Sequence, residues 1–253
     1  MTELDPEDAP QVCVVIPVRD EGEEIATVLD RLFDLVRSRC EVIVVLDSAS
    51  AATAEVITRY ESTEPRLVSL VNHDRPGPAG AIKLGFEAAK APVVVVTAAN
   101  GSDDLAQIEE LVALVNAGAV IASASRYSSG GGQLGGPTLR GVLHHVAGSS
   151  LGLLAHAGTR DAVNSFKAYS ADFARSVGIE SWRGFEVGIE LTAKARRLRL
   201  PVAEIPTTWR DLPGSASRRA VIRWLPGYLR WYLFCFGRRL TLGQLRARAA
   251  AGD

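Results

Sequence analysis

The sequence predicts an α/β fold: a mainly parallel, doubly wound sheet with helices on both faces. Three observations carry that prediction. Apolar runs of strand length alternate with helical stretches from residue 11 to about residue 127, the pattern of successive β-α units. The runs are almost unbroken in β-branched residues, as in VVVV at 93–96, which suits strands covered on both faces. Polar residues gather just past the ends of the runs, at the edge where open α/β sheets bind ligands.

The elements follow in order. QVCVVIPV (11–18) stops at the turn-like RDEGEE and reads as a first strand. The next stretch places Ile25, Val28, Leu29, Leu32 and Phe33 at helical spacing. CEVIVVLD (40–47) is a second buried strand, residues 51–61 a short helix, and RLVSLVNH (66–73) a third strand. A glycine-opened helix, GPAGAIKLGFEAAK (77–90), leads to a fourth strand, APVVVVTAA (91–99). DDLAQIEELVALVNAG reads as a helix and AVIASASRY as a further strand. SSGGGQLGG (128–136) breaks the alternation as a flexible loop. Beyond it come a helical region (139–156), an irregular NSFKAYS, a helix near 171–178, a helix over 185–198 and a late strand in LPVAEIPTTWRD. The organisation expected is a short disordered lead over 1–10, one domain over 11–220, and a helical tail over 221–253 rich in aromatics and arginine.

Composition sets limits. At 253 residues, 47% hydrophobic and 23% charged, the chain can bury a sizeable core. A formal net charge of -1 supplies no global field to draw nucleic acid. Three cysteines without metal-ligand spacing fit a reducing compartment. The acidic N-terminus lacks the basic and apolar regions of a leader peptide. No run reaches spanning length.

The candidate site residues lie past strand ends: Pro17, Arg19, Asp20 and Glu21 after the first, Asp47 after the second, and Ala98 to Asp104 after the fourth. Each has a plain structural reading. Ser102-Asp103-Asp104, ahead of LAQIEELV, also makes a good helix start. Their convergence on one sheet edge is the functional signal.

These residues resemble the family 2 glycosyltransferases, most nearly the polyprenol-phosphate sugar synthases such as dolichol-phosphate mannose synthase. VVIPVRDEGEEI is similar to that family's VVIPTYNE opening. VVLDSAS stands where the family has VVDDGS, with Asp47 at the second aspartate and Leu46 at the first. RPGPAGAIKLGFEAAK, ASRYSSGGG, NSFKAYS, GFEVGIELTAKA, EIPTTWRD and WRDLPGSASRR match in order. The resemblance implies a Rossmann-like fold of the GT-A type. It also implies inverting transfer of a sugar from a UDP- or GDP-sugar to a polyprenyl phosphate or related acceptor. By that resemblance Pro17, Arg19, Glu21, Asp47, Gly77 and Lys83 would serve the nucleotide. Asn100, Ser102, Asp103, Ser217 and Arg218 would serve the diphosphate and a Mg²⁺ or Mn²⁺ ion. Arg126 and Arg140 would hold the acceptor phosphate, as planar guanidinium groups do.

Two departures bear on chemistry. The family's metal-binding DAD pattern falls on Ala98-Ala99-Asn100, and a hard cation wants anionic oxygens. Three options stay open: weak metal binding through Asn100, metal-independent transfer relying on arginines, or lost catalysis. His144-His145 replaces the usual Ser-Arg/Lys after Arg140, which leaves a hydroxyl acceptor open, with either histidine as base. No catalytic residue is singled out. A nucleotidyltransferase would want a glycine-rich basic loop after strand one, where RDEGEE is acidic. The tail RWLPGYLRWYLFCFGRR alternates aromatics with arginines, a pattern suited either to packing on the sheet or to peripheral contact at the cytoplasmic face of a membrane.

Overall fold

The structure is a computed structural model that describes residues 9–47, 51–134, 139–210 and 218–251. Seven strands form the main sheet: β1 (Val12–Val18), β2 (Cys40–Leu46), β3 (Leu67–Val71), β4 (Val93–Val96), β5 (Ile121–Ser125), β7 (Lys167–Ser170) and β8 (Val202–Pro206). Their order is β3-β2-β1-β4-β7-β5-β8, with β7 alone antiparallel to its neighbours. The expected lead over 1–10 falls mostly outside the described residues.

Alternation explains why β1 is so uniformly apolar. Val12, Val14, Ile16 and Val18 face a core shared with α1 (Glu24–Leu35) and α4 (Ile108–Asn116). Cys13 and Val15 face the opposite core, with α3 (Pro78–Ala88) and α6 (Ala171–Val177). Successive strand residues point to opposite faces, so burial on both sides demands an apolar residue at every position. Helix α1 answers with one apolar stripe, Ile25, Val28, Leu29 and Leu32.

Two expectations change. NSFKAYS is not irregular: its last four residues form β7, between β4 and β5 in the sheet. Residues 128–136 are not all loop, since β6 (Gly132–Leu134) pairs in parallel with β9 (Thr208–Arg210) in a second sheet.

The remaining helices are α2 (Ala51–Thr63), α5 (Leu139–Leu153), α7 (Val187–Leu198), α8 (Arg218–Cys235) and α9 (Leu242–Ala251). A third cluster joins Leu151, Ile189, Ala193, Trp231 and Cys235, so the middle of α8 packs on α7. The opposite side of α8 leaves Leu225, Leu229 and Leu233 exposed, with Phe236 exposed just past its end. The packing reading of the tail is met on one face of α8, and the other face is exposed.

Candidate active site

Strand order reverses beside β1, whose neighbours are β2 and β4. The carboxyl ends of these strands open into a cleft of about 1450 Å³, at the position that topology favours for ligands. Pro17, Arg19, Glu21, Asp47, Gly77 and Asn100 all line it. Six of the sequence-derived residues are thus brought together.

Glu21 sits at the mouth, where its Oε2 accepts from the Arg19 N–H at 2.7 Å. Burial raises its pKa. Asp47 Oδ1 accepts from the Gly77 N–H at 2.7 Å and from Asn72 Nδ2 at 3.3 Å, tying the 72–77 loop to the end of β2. Its other oxygen makes no hydrogen bond among the described residues, and the side chain lines the cleft. Gly77 has φ +120, and a Cβ there would stand 2.5 Å from the Arg183 carbonyl. Glycine is required at this helix start on both counts. Gly85, two turns on, lets α3 lie against Val15 of β1. The glycine-rich segment is therefore chiefly a packing device. Lys83 stands apart, 3.8 Å from Glu87 and not among the residues lining the cleft.

The segment after β4 is held from within. Asp103 is buried, and its Oδ2 accepts from the Thr97 hydroxyl and the Ala98 N–H, each at 2.9 Å. Burial raises its pKa, against those hydrogen bonds. Asn100 Oδ1 accepts from the Ser102 N–H at 3.2 Å and from the Ser102 hydroxyl. A backbone N–H only donates, so the amide oxygen must face it. Asn100 therefore keeps its NH₂ group as the free end of a side chain lining the cleft. Asp104, not Asp103, is the helix cap, accepting from the Ala106 N–H at 3.3 Å. Ser102 and Asp103 do not line the cleft.

Arg126 also differs from expectation. It is buried and grips Asp161 with both arms of its guanidinium, Nε to Oδ2 at 2.7 Å and an Nη to Oδ1 at 2.8 Å. Burial alone would lower its pKa, but the Asp161 hydrogen bonds outweigh that and raise it. It is not among the residues lining the cleft. Arg140 begins α5 and Arg218 begins α8, while the side chains of both, and all of Ser217, lie outside the described residues. His144's side chain does too; His145 is exposed, edge-on to Tyr127 at 4.6 Å.

Sequence reasoning missed the far wall, formed by Glu180, Trp182, Arg183, Phe185, Arg223 and Trp224, along with Arg75 on the near side. Carboxylates of α7 and its N-cap build that wall. Glu186 accepts from the Gly184 N–H at 2.7 Å and the Arg183 N–H at 3.1 Å. Glu190 accepts from the Glu180 and Ser181 N–H groups at 2.7 and 2.8 Å. Lys194 neutralises this buried network, 2.6 Å from Glu190 and 2.8 Å from Glu180. Arg183 rests 4.1 Å over the Trp182 ring. Trp224 is 8% exposed, and its indole N–H is buried without an acceptor among the described residues. The signal available was two Arg–Trp pairs, Trp182-Arg183 and Arg223-Trp224, the second of which the sequence reading placed in a tail that either packs on the sheet or meets a membrane.

The model of the family described as glycosyl transferase family 2 matches residues 13–178. The chain belongs to that family. Among curated relatives, it is 27% identical over 206 residues to the glycosyltransferase AglD of Haloferax volcanii, covering 79% of this chain and 33% of the relative. It is 23% identical to a dolichyl-phosphate β-glucosyltransferase of Trichomonas vaginalis, covering 81% and 65%. With the polyprenol monophosphomannose synthase of Mycolicibacterium smegmatis it shares 25% identity, covering 83% and 84%. The chain thus spans about a third of the archaeal relative and just under two thirds of the Trichomonas one. Among solved structures it superposes on a Pyrobaculum calidifontis mannosyltransferase in complex with GDP-Man and Mn²⁺ with TM-score 0.62 at 18% identity, covering 97% and 70%. For glucosyl-3-phosphoglycerate synthase of Mycobacterium tuberculosis the TM-score is 0.65 at 19% identity, covering 92% and 80%. The fold is GT-A, as the sequence motifs implied.

The residues here do not fit a divalent ion. Position 98 is alanine, the Asn100 oxygen is taken by Ser102, and Asp103 is buried outside the cleft lining with its Oδ2 taken by Thr97 and Ala98. No cluster of three or more His, Cys, Asp or Glu able to hold a metal exists among the described residues.

Proposed function

We propose that this chain transfers a sugar, with inversion, from a UDP- or GDP-sugar to a polyprenyl phosphate at a membrane surface. The observation that carries the reading is the cleft at the β1 switch point, where Asp47 holds one carboxylate oxygen uncommitted beside Gly77. A carboxylate oxygen only accepts, and so suits a ribose hydroxyl or a base N–H. The family membership and the polyprenol-phosphate relatives support it. An acceptor phosphate is already an anionic nucleophile, so its oxygen attacks the anomeric carbon with no general base. The bond from that carbon to the diphosphate breaks, and the electron pair leaves with the diphosphate oxygen. Arg140, on α5, remains the arginine proposed for the acceptor phosphate.

The membrane contact follows from α8. Leu225, Leu229 and Leu233 recur at helical spacing on its free side with Phe236 just past its end, and α5 and the residue after it add exposed Val146, Leu153 and Leu154. Arg238 and Arg239 follow the stripe. Leucines bordered by arginines suit an anionic lipid surface, here the inner face of the cytoplasmic membrane. No described helix is long and apolar enough to cross a membrane.

The test is transfer of radiolabelled sugar from UDP-glucose or GDP-mannose to polyprenyl phosphate in vesicles, read as organic-extractable label. Asp47→Ala is expected to abolish most of it, and a product of retained anomeric configuration would refute inversion. A second reading, a donor-binding protein that does not transfer, draws on Ala98; it expects donor binding with no labelled lipid for any donor. A hydroxyl acceptor, the remaining alternative, predicts label in a water-soluble product.

A further inference from the structure

Any enzyme that expels a nucleoside diphosphate must offset the charge that builds on it as the sugar leaves. Divalent cations do this in many such sites. Here Asn100 Oδ1 and Asp103 Oδ2, in the loop that would carry the ion, are engaged within the loop and position 98 is alanine, so the offset has to come from elsewhere in the cleft.

Four arginines line that cleft: Arg19, Arg75, Arg183 and Arg223. Their guanidinium groups form no ion pair among the described residues. They differ in this from Arg126, which the sequence favoured and whose Nε and one Nη are held by Asp161. Arg183 is delivered by the loop that Glu186 and Glu190 fix from α7, next to the Gly77 start of α3. Arg223 arrives from α8, beside Trp224 and its unpartnered buried indole N–H. On the other wall Asn100 retains only donor hydrogens, since its oxygen is engaged. Apart from Asp47, whose open oxygen the reading above gives to the ribose or base, the uncommitted groups named here are donors or cations, the complement of an anion.

We propose that Arg183 and Arg223, with Arg75, take the place of the divalent cation and neutralise the donor diphosphate, with Trp224 and Asn100 donating to its oxygens. The site is then metal-independent. This rests on the nucleotide-sugar reading above for the identity of the ligand. Guanidinium is suited to the task because it stays charged at any working pH and presents paired N–H groups to phosphate oxygens.

The experiment is calorimetric titration of the full chain with UDP and with GDP, in EDTA and in Mn²⁺, together with the electron paramagnetic resonance signal of free Mn²⁺. One of the two nucleotides should bind with a Kd in EDTA within about threefold of that in Mn²⁺. The free-Mn²⁺ signal should fall no further with protein and nucleotide than with nucleotide alone. Arg183→Ala and Arg223→Ala should each weaken binding in EDTA at least tenfold, as loss of a charge-assisted hydrogen bond does. Both side chains are exposed, and melting temperatures matching the parent confirm that the variants are folded. Binding lost in EDTA, or tightened more than tenfold by Mn²⁺, overturns the proposal, as does unchanged binding by the arginine variants. Metal-independent binding without transfer leaves the inference standing and removes the transferase reading. No binding of either nucleotide removes both.

Discussion

Replacing Asp161 by alanine tests whether Arg126 belongs to the framework or to a ligand. Asp161 is wholly buried, and its carboxylate meets Arg126 Nε, an Arg126 Nη and the Arg126 backbone N–H at 2.7, 2.8 and 3.0 Å. The Asn164 N–H makes a longer fourth contact at 3.3 Å. Truncation leaves a guanidinium, itself only 9% exposed, without its partner. Breaking a buried pair in this way costs about 3–5 kcal/mol. For a chain of this length that is a fall in melting temperature of about 6–20 °C. The assay is urea unfolding followed by far-ultraviolet circular dichroism, with the midpoint expected to drop and the slope to hold. A double-mutant cycle with Arg126→Met and Asp161→Asn should give a coupling of about 2 kcal/mol or more, because the two side chains are in contact. A cost below about 1 kcal/mol for Asp161→Ala would refute the reasoning. So would an Arg126→Met variant of unchanged stability that had lost acceptor affinity.

Four further outcomes are expected. Lys167 is fully buried, and burial pushes its pKa down to about 7, with Asp161, Arg126, Asp103 and Glu204 as the charges around it. Above pH 7 the folded chain sheds a proton that the unfolded chain still holds, so stability should rise by roughly 1–2 kcal/mol between about pH 7 and 8.5; a flat profile in the parent, or the same rise in Lys167→Met, argues against it. Beyond about pH 9 the buried thiols Cys13 and Cys235, whose pKa values burial raises, pull the other way, since the unfolded chain loses those protons first. Gly85→Ala would drive a methyl into Val15 of β1, and overpacking of about 1–3 kcal/mol should exceed the helical gain of about 1 kcal/mol, measured as a lower urea midpoint. The double change Ala98→Asp and Asn100→Asp restores anionic oxygens to the loop, and Mn²⁺ should then tighten UDP or GDP binding at least tenfold by calorimetry; no metal effect would mean that more than these two positions has been lost. On α8, Leu225→Glu with Leu229→Glu should abolish flotation with phosphatidylglycerol vesicles while leaving nucleotide binding intact. Deleting the whole tail is a poor test, because Trp224, Trp231, Cys235 and Leu245 are buried.

The parts of this molecule that were legible in its sequence are those fixed by strand periodicity. β1, β2 and β4 are valine-rich because both of their faces are covered, and the residues past their ends reach the cleft because sheet topology sends them there. β7 was missed because it offers four residues, one of them a buried lysine, and its antiparallel insertion leaves no local trace. β6 was missed because three residues in a glycine run look like loop. The arginines divide on the same principle. Arg126 has a family-like motif, but its partner Asp161 sits 35 residues away in a segment without pattern. Arg183 and Arg223 belong to a loop and a helix 40 residues apart, and only the packing of α7 on α8 brings them to one wall.

The loop after β4 explains how a metal motif can be lost without losing the site. Asp103 closes the turn from beneath by accepting from Thr97 and Ala98, and Asn100 and Ser102 close it from above. The fold of the loop therefore depends on four side chains and backbone N–H groups, none of which needs an ion. Alanine at 98 removes charge from the loop without touching its hydrogen bonds, and asparagine at 100 removes charge while keeping the side-chain oxygen that Ser102 uses, so the cleft keeps its form; under the proposal above, the opposite wall meets the diphosphate. There the supporting network of Glu186, Glu190 and Lys194 is buried and fully paired, which is what a wall needs if it is to hold arginines in fixed register against a departing anion.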